Sequence, residues 1–133
     1  MLPKWEDRFS IHNNEIDAQH KKLFELAHKA YALEYKKTSR VEIREILSEF
    51  FEYMKVHFKD EESYMESIGY PGLEDHKKLH KKIIEELSKT IKSIHNVHDM
   101  KEKLVIVAQD WLLSHILHDD MLIERHRLKL SVK

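Results

Sequence analysis

Residues 57–80 read HFKDEESYMESIGYPGLEDHKKLH, and the break in the middle of this stretch decides the fold. Gly69-Tyr70-Pro71-Gly72 is the strongest turn signal in the chain. Before it, an apolar stripe of Ile43, Ile46, Leu47, Phe50 and Met54 runs at helical spacing into His57, Glu61 and then Tyr64 or Met65. After it, His76 and His80 open a second stripe continued by Leu79, Ile83, Ile84, Leu87, Ile91 and Ile94. Both polar pairs are four residues apart, which stacks their side chains on one helix face. A connection this short makes the two helices antiparallel neighbours, so the pairs meet at one end.

The pattern extends outward in both directions. Upstream, Leu23, Phe24, Ala27, Ala30 and Tyr31 form a stripe for which Asp17 is the expected N-cap, and Ser39 with Glu42 is a capping-box pattern for the next helix. Downstream, Asp99 and Glu102 give a second such pattern ahead of Leu104, Val107, Ala108, Trp111, Leu112 and His115. The reading is therefore an all-α chain, an up-down-up-down antiparallel four-helix bundle with helices at about 17–37, 40–67, 73–94 and 100–118. Residues 1–16, with Trp5, Phe9 and Ile11, form an arm expected to pack on the bundle within one domain, 1–133.

Composition narrows the function classes. With two glycines and no cysteine among 133 residues, phosphate-binding glycine loops, disulfides, CxxC pairs and thiolate metal sites are all excluded. A formal net charge of -1 offers no electrostatic case for nucleic acid or an anionic membrane. Apolar runs such as Leu104 to Ala108 fall far short of the ~20 residues needed to cross a bilayer. Lys4, Glu6, Asp7 and Arg8 interrupt the N-terminal segment, so no signal peptide is visible and the expected location is cytoplasmic.

Eleven histidines are the outstanding feature. In an antiparallel bundle, His20 at the start of the first helix, His57 and Glu61, His76 and His80, and His115 with Asp119 and Asp120 all fall at the same end. Single histidines on helix faces are ordinarily hydrogen-bonded core or surface residues. Five imidazoles and two carboxylates converging on one buried level are costly without a cation. Seven ligands exceed one tetrahedral zinc and are too nitrogen-rich for calcium or magnesium, whereas they suit iron and other first-row metals. Two octahedral ions offer twelve places. Five imidazoles, two bridging carboxylates and a bridging hydroxide fill eleven, and the vacancy suits a small ligand such as O2. Helical spacing alone favours Asp119, four residues after His115. Asp120 lies ~140° round an ideal helix and would require a bulge there.

These residues resemble the hemerythrins, and in particular their short single-domain bacterial members. The resemblance covers nearly the whole chain: Trp5, Phe9-Ser10-Ile11, Ile16-Asp17-Ala18-Gln19-His20, His57-Phe58-Lys59-Asp60-Glu61-Glu62, Gly69-Tyr70-Pro71, His76-Lys77-Lys78-Leu79-His80, Trp111-Leu112-Leu113-Ser114-His115 and Asp120. His12 departs from it, standing where many bacterial relatives carry glycine. The resemblance implies that His76, His80 and His115 bind one iron and His20 and His57 the other, with Glu61 and Asp120 bridging. It further implies two Fe ions (Fe2+/Fe3+) joined by an oxo or hydroxo bridge, with O2 as the ligand.

Reversible O2 binding, for carriage, storage or delivery, is then the expected function, with no enzymatic turnover. The alternatives are a di-iron enzyme acting on peroxide, O2 or nitric oxide, or an O2-sensing or iron-holding module. The chain has a single ExxH, Glu25 to His28, and so lacks the carboxylate-rich set of ferritin-like enzymes. Phe24, Phe58, Trp111, Leu112 and Ile116 are core residues of which some are expected to wall the vacancy. His12, His95, His98 and His126 are expected at the surface, His28 in the core below the site, and His118 beside the site or at the surface.

Overall fold

The computed structural model describes residues 2–34, 37–107, 109–110 and 114–131. Among them the secondary structure is entirely helical. A short 3-10 turn, Asp7–Phe9, precedes α1 (Asn14–Tyr31), α2 (Arg40–Ser67), α3 (Leu73–Lys92) and α4 (Val97–Ile106). A π-helical segment, His115–Asp120, then leads into α5 (Met121–Ser131). α1 packs against α2 and α4, and α2 against α3.

Local chemistry explains most boundaries. Ser39 and Glu42 close the capping box that starts α2. At its other end the Tyr70 amide donates to the Met65 carbonyl and the Gly69 amide to the Glu66 carbonyl, a Schellman closure. That closure needs a left-handed residue, which Gly69 supplies with φ of 62°.

Four boundaries differ from the sequence reading. α1 ends at Tyr31 rather than near 37. α1 is capped by Asn13, whose side chain accepts from the Ile16 amide, because Asp17 is otherwise engaged: its carboxylate accepts from the Ile11 amide and the Ser10 hydroxyl. α4 begins at Val97 under an Asn96 cap, while Asp99 takes the His95 amide and Lys103, and Glu102 pairs with His98. The last helical region does not finish near 118 but continues through the π segment to Ser131.

The core has two parts. Phe9 from the arm joins Leu23, Phe24, Phe50, Met54, Phe58, Leu87 and Ile116 near the histidines. Ile43, Ile46, Leu47, Val97, Met100 and Leu104 pack at the opposite end. Each such side chain contributes about 1.5–3 kcal/mol by leaving water. Tyr31, placed in the first stripe by its spacing, is exposed, and Leu26 is buried instead. The side chains of Ala108, Trp111 and Leu112 lie outside the described residues. The arm is anchored through Phe9 and Ile11, both fully buried.

Candidate metal centre

Seven polar side chains form a buried cluster where the first turns of α1 and α3 meet the last third of α2 and the π segment. His20, His57, Glu61, His76, His80, His115 and Asp120 are each at most 5% exposed. Their donor atoms fall into two groups that share two members. One group holds Glu61, His76, His80, His115 and Asp120, and the other His20, His57, Glu61 and Asp120.

The two carboxylates stand between the groups with one oxygen toward each. Glu61 Oε1 lies 3.0 Å from Nε2 of both His76 and His80, while Oε2 lies 3.3 Å from His57 Nε2 and 3.4 Å from His20 Nε2. Asp120 Oδ1 is 3.1 Å from Nε2 of His76 and of His115, and Oδ2 is 3.2 Å from His20 Nε2. Every imidazole presents Nε2 inward.

Hydrogen bonding within the protein does not satisfy this arrangement. His20 Nδ1 and Nε2, Glu61 Oε2 and Asp120 Oδ2 are buried without a hydrogen-bond partner. Nε2 of His80 and of His115 face each other at 3.1 Å. Orphaned groups of this kind cost about 1–3 kcal/mol each. Spacings near 3 Å are those of neighbouring ligands on an ion with bonds of about 2.1 Å, so the donor set fits bound cations.

Outer hydrogen bonds fix three rings. His57 Nδ1 donates to Gln19 Oε1 at 2.8 Å, and Gln19 Nε2 donates to Asp60 Oδ2 at 2.7 Å. His80 Nδ1 donates to Glu62 Oε2 at 2.8 Å, and His115 Nδ1 to Asp119 Oδ2 at 3.0 Å. Holding the proton on Nδ1 leaves Nε2 with its lone pair facing inward. Sequence reasoning assigned no such role to Gln19, Asp60 or Glu62; their only signal was a polar side chain beside an inward-facing one.

The π segment places the two aspartates differently. One extra residue in its turn brings His115 and Asp120, five apart, onto the same inner face. Asp119, four residues on, meets the outer nitrogen of the same ring.

Without an ion, protons must balance the carboxylates. Burial pushes His20 and His76 down, but Asp120 and Glu61 outweigh it and raise both to about 9. His115 is held well above its ordinary value against burial, chiefly by Asp120. Burial pushes Glu61 up, but the imidazoles of His115, His20, His57 and His76 clustered around its carboxylate prevail and hold it well below the carboxylate range. His57 is lowered by burial.

The remaining histidines lie away from the cluster. His12, His95, His98 and His118 are exposed. His126 is half-buried and bonds the Ile68 carbonyl, and His28, also half-buried, bonds the Pro3 carbonyl and so pins the arm. Phe58 stacks on His80 at 3.8 Å between ring centres, and Ile116 and Phe24 are buried in the adjoining core. No helix among the described residues is long and apolar enough to cross a membrane.

A model of the hemerythrin HHE cation binding domain matches residues 12–125. The chain is 35% identical over 122 residues to a bacteriohemerythrin of Campylobacter jejuni, covering 91% of this chain and 92% of that one. It is 38% identical over 122 residues to a bacteriohemerythrin of Clostridium acetobutylicum, covering 87% and 94%. A bacteriohemerythrin of Pseudomonas aeruginosa is 30% identical over 116 residues, with 87% and 75% covered. With the family's domain matched over most of its length, this chain belongs to the hemerythrin HHE cation binding domain family.

Proposed function

We propose that the chain is a single hemerythrin-like domain, 1–133, that binds O2 reversibly at a non-haem di-iron centre as a cytoplasmic carrier, store or delivery protein rather than an enzyme. The observation that carries this reading is the sharing of Glu61 and Asp120 between two donor groups, one carboxylate oxygen facing each. In it, His76, His80 and His115 would hold one ion and His20 and His57 the other, with Glu61 and Asp120 available to both. The helices adopt the up-down-up-down order, which brings the ligand-bearing ends together.

Imidazole and carboxylate donors without thiolate suit iron. A ferrous pair held there, with an oxo or hydroxo bridge, would supply the two electrons for reversible exchange with O2. The His20–His57 group offers one imidazole fewer, so an ion held there would be the one left with a place for a small ligand. Gln19, Glu62 and Asp119 keep Nε2 of their histidines deprotonated and aimed inward. Phe58, Phe24 and Ile116 exclude water that would otherwise draw off a reduced product.

The test is the optical spectrum of iron-loaded, anaerobically reduced protein as O2 is admitted and then removed. A near-ultraviolet and visible band that appears with O2 and disappears on its removal is the expected result. A band that forms once and does not recover would favour turnover of O2 or peroxide. No change would leave an iron-holding module.

A further inference from the structure

The end of the molecule remote from the metal centre carries a second concave site. A cleft of about 490 Å³ opens between the first turns of α2 and the last turn of α3. It lies about 21 Å from Glu61 along α2, measured to Leu47 at 1.5 Å per residue. Its volume is in the range of small-molecule sites. The floor is apolar, made by Ile43, Leu47, Phe51, Ile91 and Ile94. The rim is cationic through Arg40, Arg44 and Lys92, with His95, Ser48 and Ser88 beside them. No acidic side chain lines the cleft among the described residues.

The placement of the charges is informative. Lys92 stands in the last turn of α3, where a cation answers the partial negative charge of the helix end. Arg40 opens the first turn of α2, where the partial charge is positive and a cation is unfavourable, and Arg44 stands one turn further along the same face. Neither arginine forms an ion pair with a described residue. The helix dipole therefore does not account for Arg40, whereas an anion held between the two helices by Arg40, Arg44 and Lys92 would. Planar guanidinium groups suit a carboxylate or phosphate head, and the apolar floor suits an alkyl chain.

We infer that this cleft binds a single-chain amphiphile with an anionic head, its tail on Leu47, Phe51 and Ile91 and its head between Arg40, Arg44 and Lys92. The site is independent of the metal centre.

Titration of the intact protein with decanoate, decyl phosphate and uncharged 1-decanol, followed by calorimetry and by amide chemical shifts, tests it. Saturable 1:1 binding of decanoate or decyl phosphate is expected, with shifts confined to the cleft; the tighter of the two identifies the head. Arg40→Ala with Arg44→Ala should weaken anion binding about tenfold or more and leave 1-decanol unchanged. Ser88→Trp, which fills the cleft from a half-buried position, should block all three while leaving metal content intact. Absence of saturable binding to folded wild-type protein, equal affinity for 1-decanol, or indifference to both variants would overturn the inference. So would a concentration-dependent dimer that the double arginine variant abolishes, since the face would then serve a second copy of the chain.

Discussion

His115 Nε2 and Asp120 Oδ1 stand 3.1 Å apart inside the cluster although five residues separate them. In a regular α-helix that spacing turns the second side chain well away from the first. The π segment cancels the difference and, in doing so, gives the two consecutive aspartates different tasks. Asp120 faces both donor groups, and Asp119 holds the outer nitrogen of His115.

The two aspartates should therefore respond differently to replacement. Asp120→Ala should abolish stable binding of a metal pair, whereas Asp119→Ala should retain the pair at about 10–100-fold lower affinity. Metal content after dialysis against graded chelator concentrations separates the two outcomes. Equal losses would mean that the π segment does not divide their roles.

A similar contrast is expected on the other side of the centre. His57→Ala should leave about one ion per chain, because the five-donor group is untouched. Gln19→Leu should keep both ions and weaken the His20–His57 site by about 10–100-fold, since His57 then loses the acceptor that sets its tautomer. Elemental analysis together with competitive chelation reads both effects.

Protonation gives the third prediction. His20 and His76, raised to about 9 in the metal-free protein, are protonated more readily folded than unfolded. Their contribution to metal-free stability is complete below the unfolded value near 6.5 and is lost as pH rises through about 9. His57, lowered in the fold, loses its contribution only as pH falls below that window. The melting temperature of metal-free protein should thus decline from pH 6.5 to 9. Metal loading near pH 7.5 should release at least two protons per chain, measurable with an indicator dye in weakly buffered solution. A flat melting profile and no proton release would contradict the charge arrangement of the cluster.

His12 supplies a test at the arm. Its φ of 56° is left-handed, a conformation that costs a non-glycine residue roughly 1–2 kcal/mol. Its ring also touches Glu124 Oε1 at 3.1 Å. His12→Gly and His12→Ala both remove that contact, but only glycine removes the strain. The glycine variant should be the more stable of the two by about 1 kcal/mol in urea unfolding, and the reverse order would refute the assignment of strain.

Much of this molecule was legible in the one-dimensional pattern. The Gly69–Gly72 break and the Ser39–Glu42 box depend on residues within a few positions of one another, so local chemistry decides them. His57 and Glu61, and His76 and His80, could be read as inward-facing because four-residue spacing continues the apolar stripes around them. Three things required the folded chain. The start of α1 at Asn13 rather than Asp17 depends on Asp17 capturing the arm at Ile11 and Ser10, a contact made only when the arm folds back. The choice between Asp119 and Asp120 depends on a backbone bulge that no residue type at 115–120 announces. The outer bonds of Gln19, Asp60 and Glu62 join different helices across as many as 41 residues, a relation that periodicity along one helix does not encode. Sequence by itself determined which side chains turn inward, because helical periodicity is a property of the chain; tertiary structure decided which atoms meet, because that is set by the register of one helix against another.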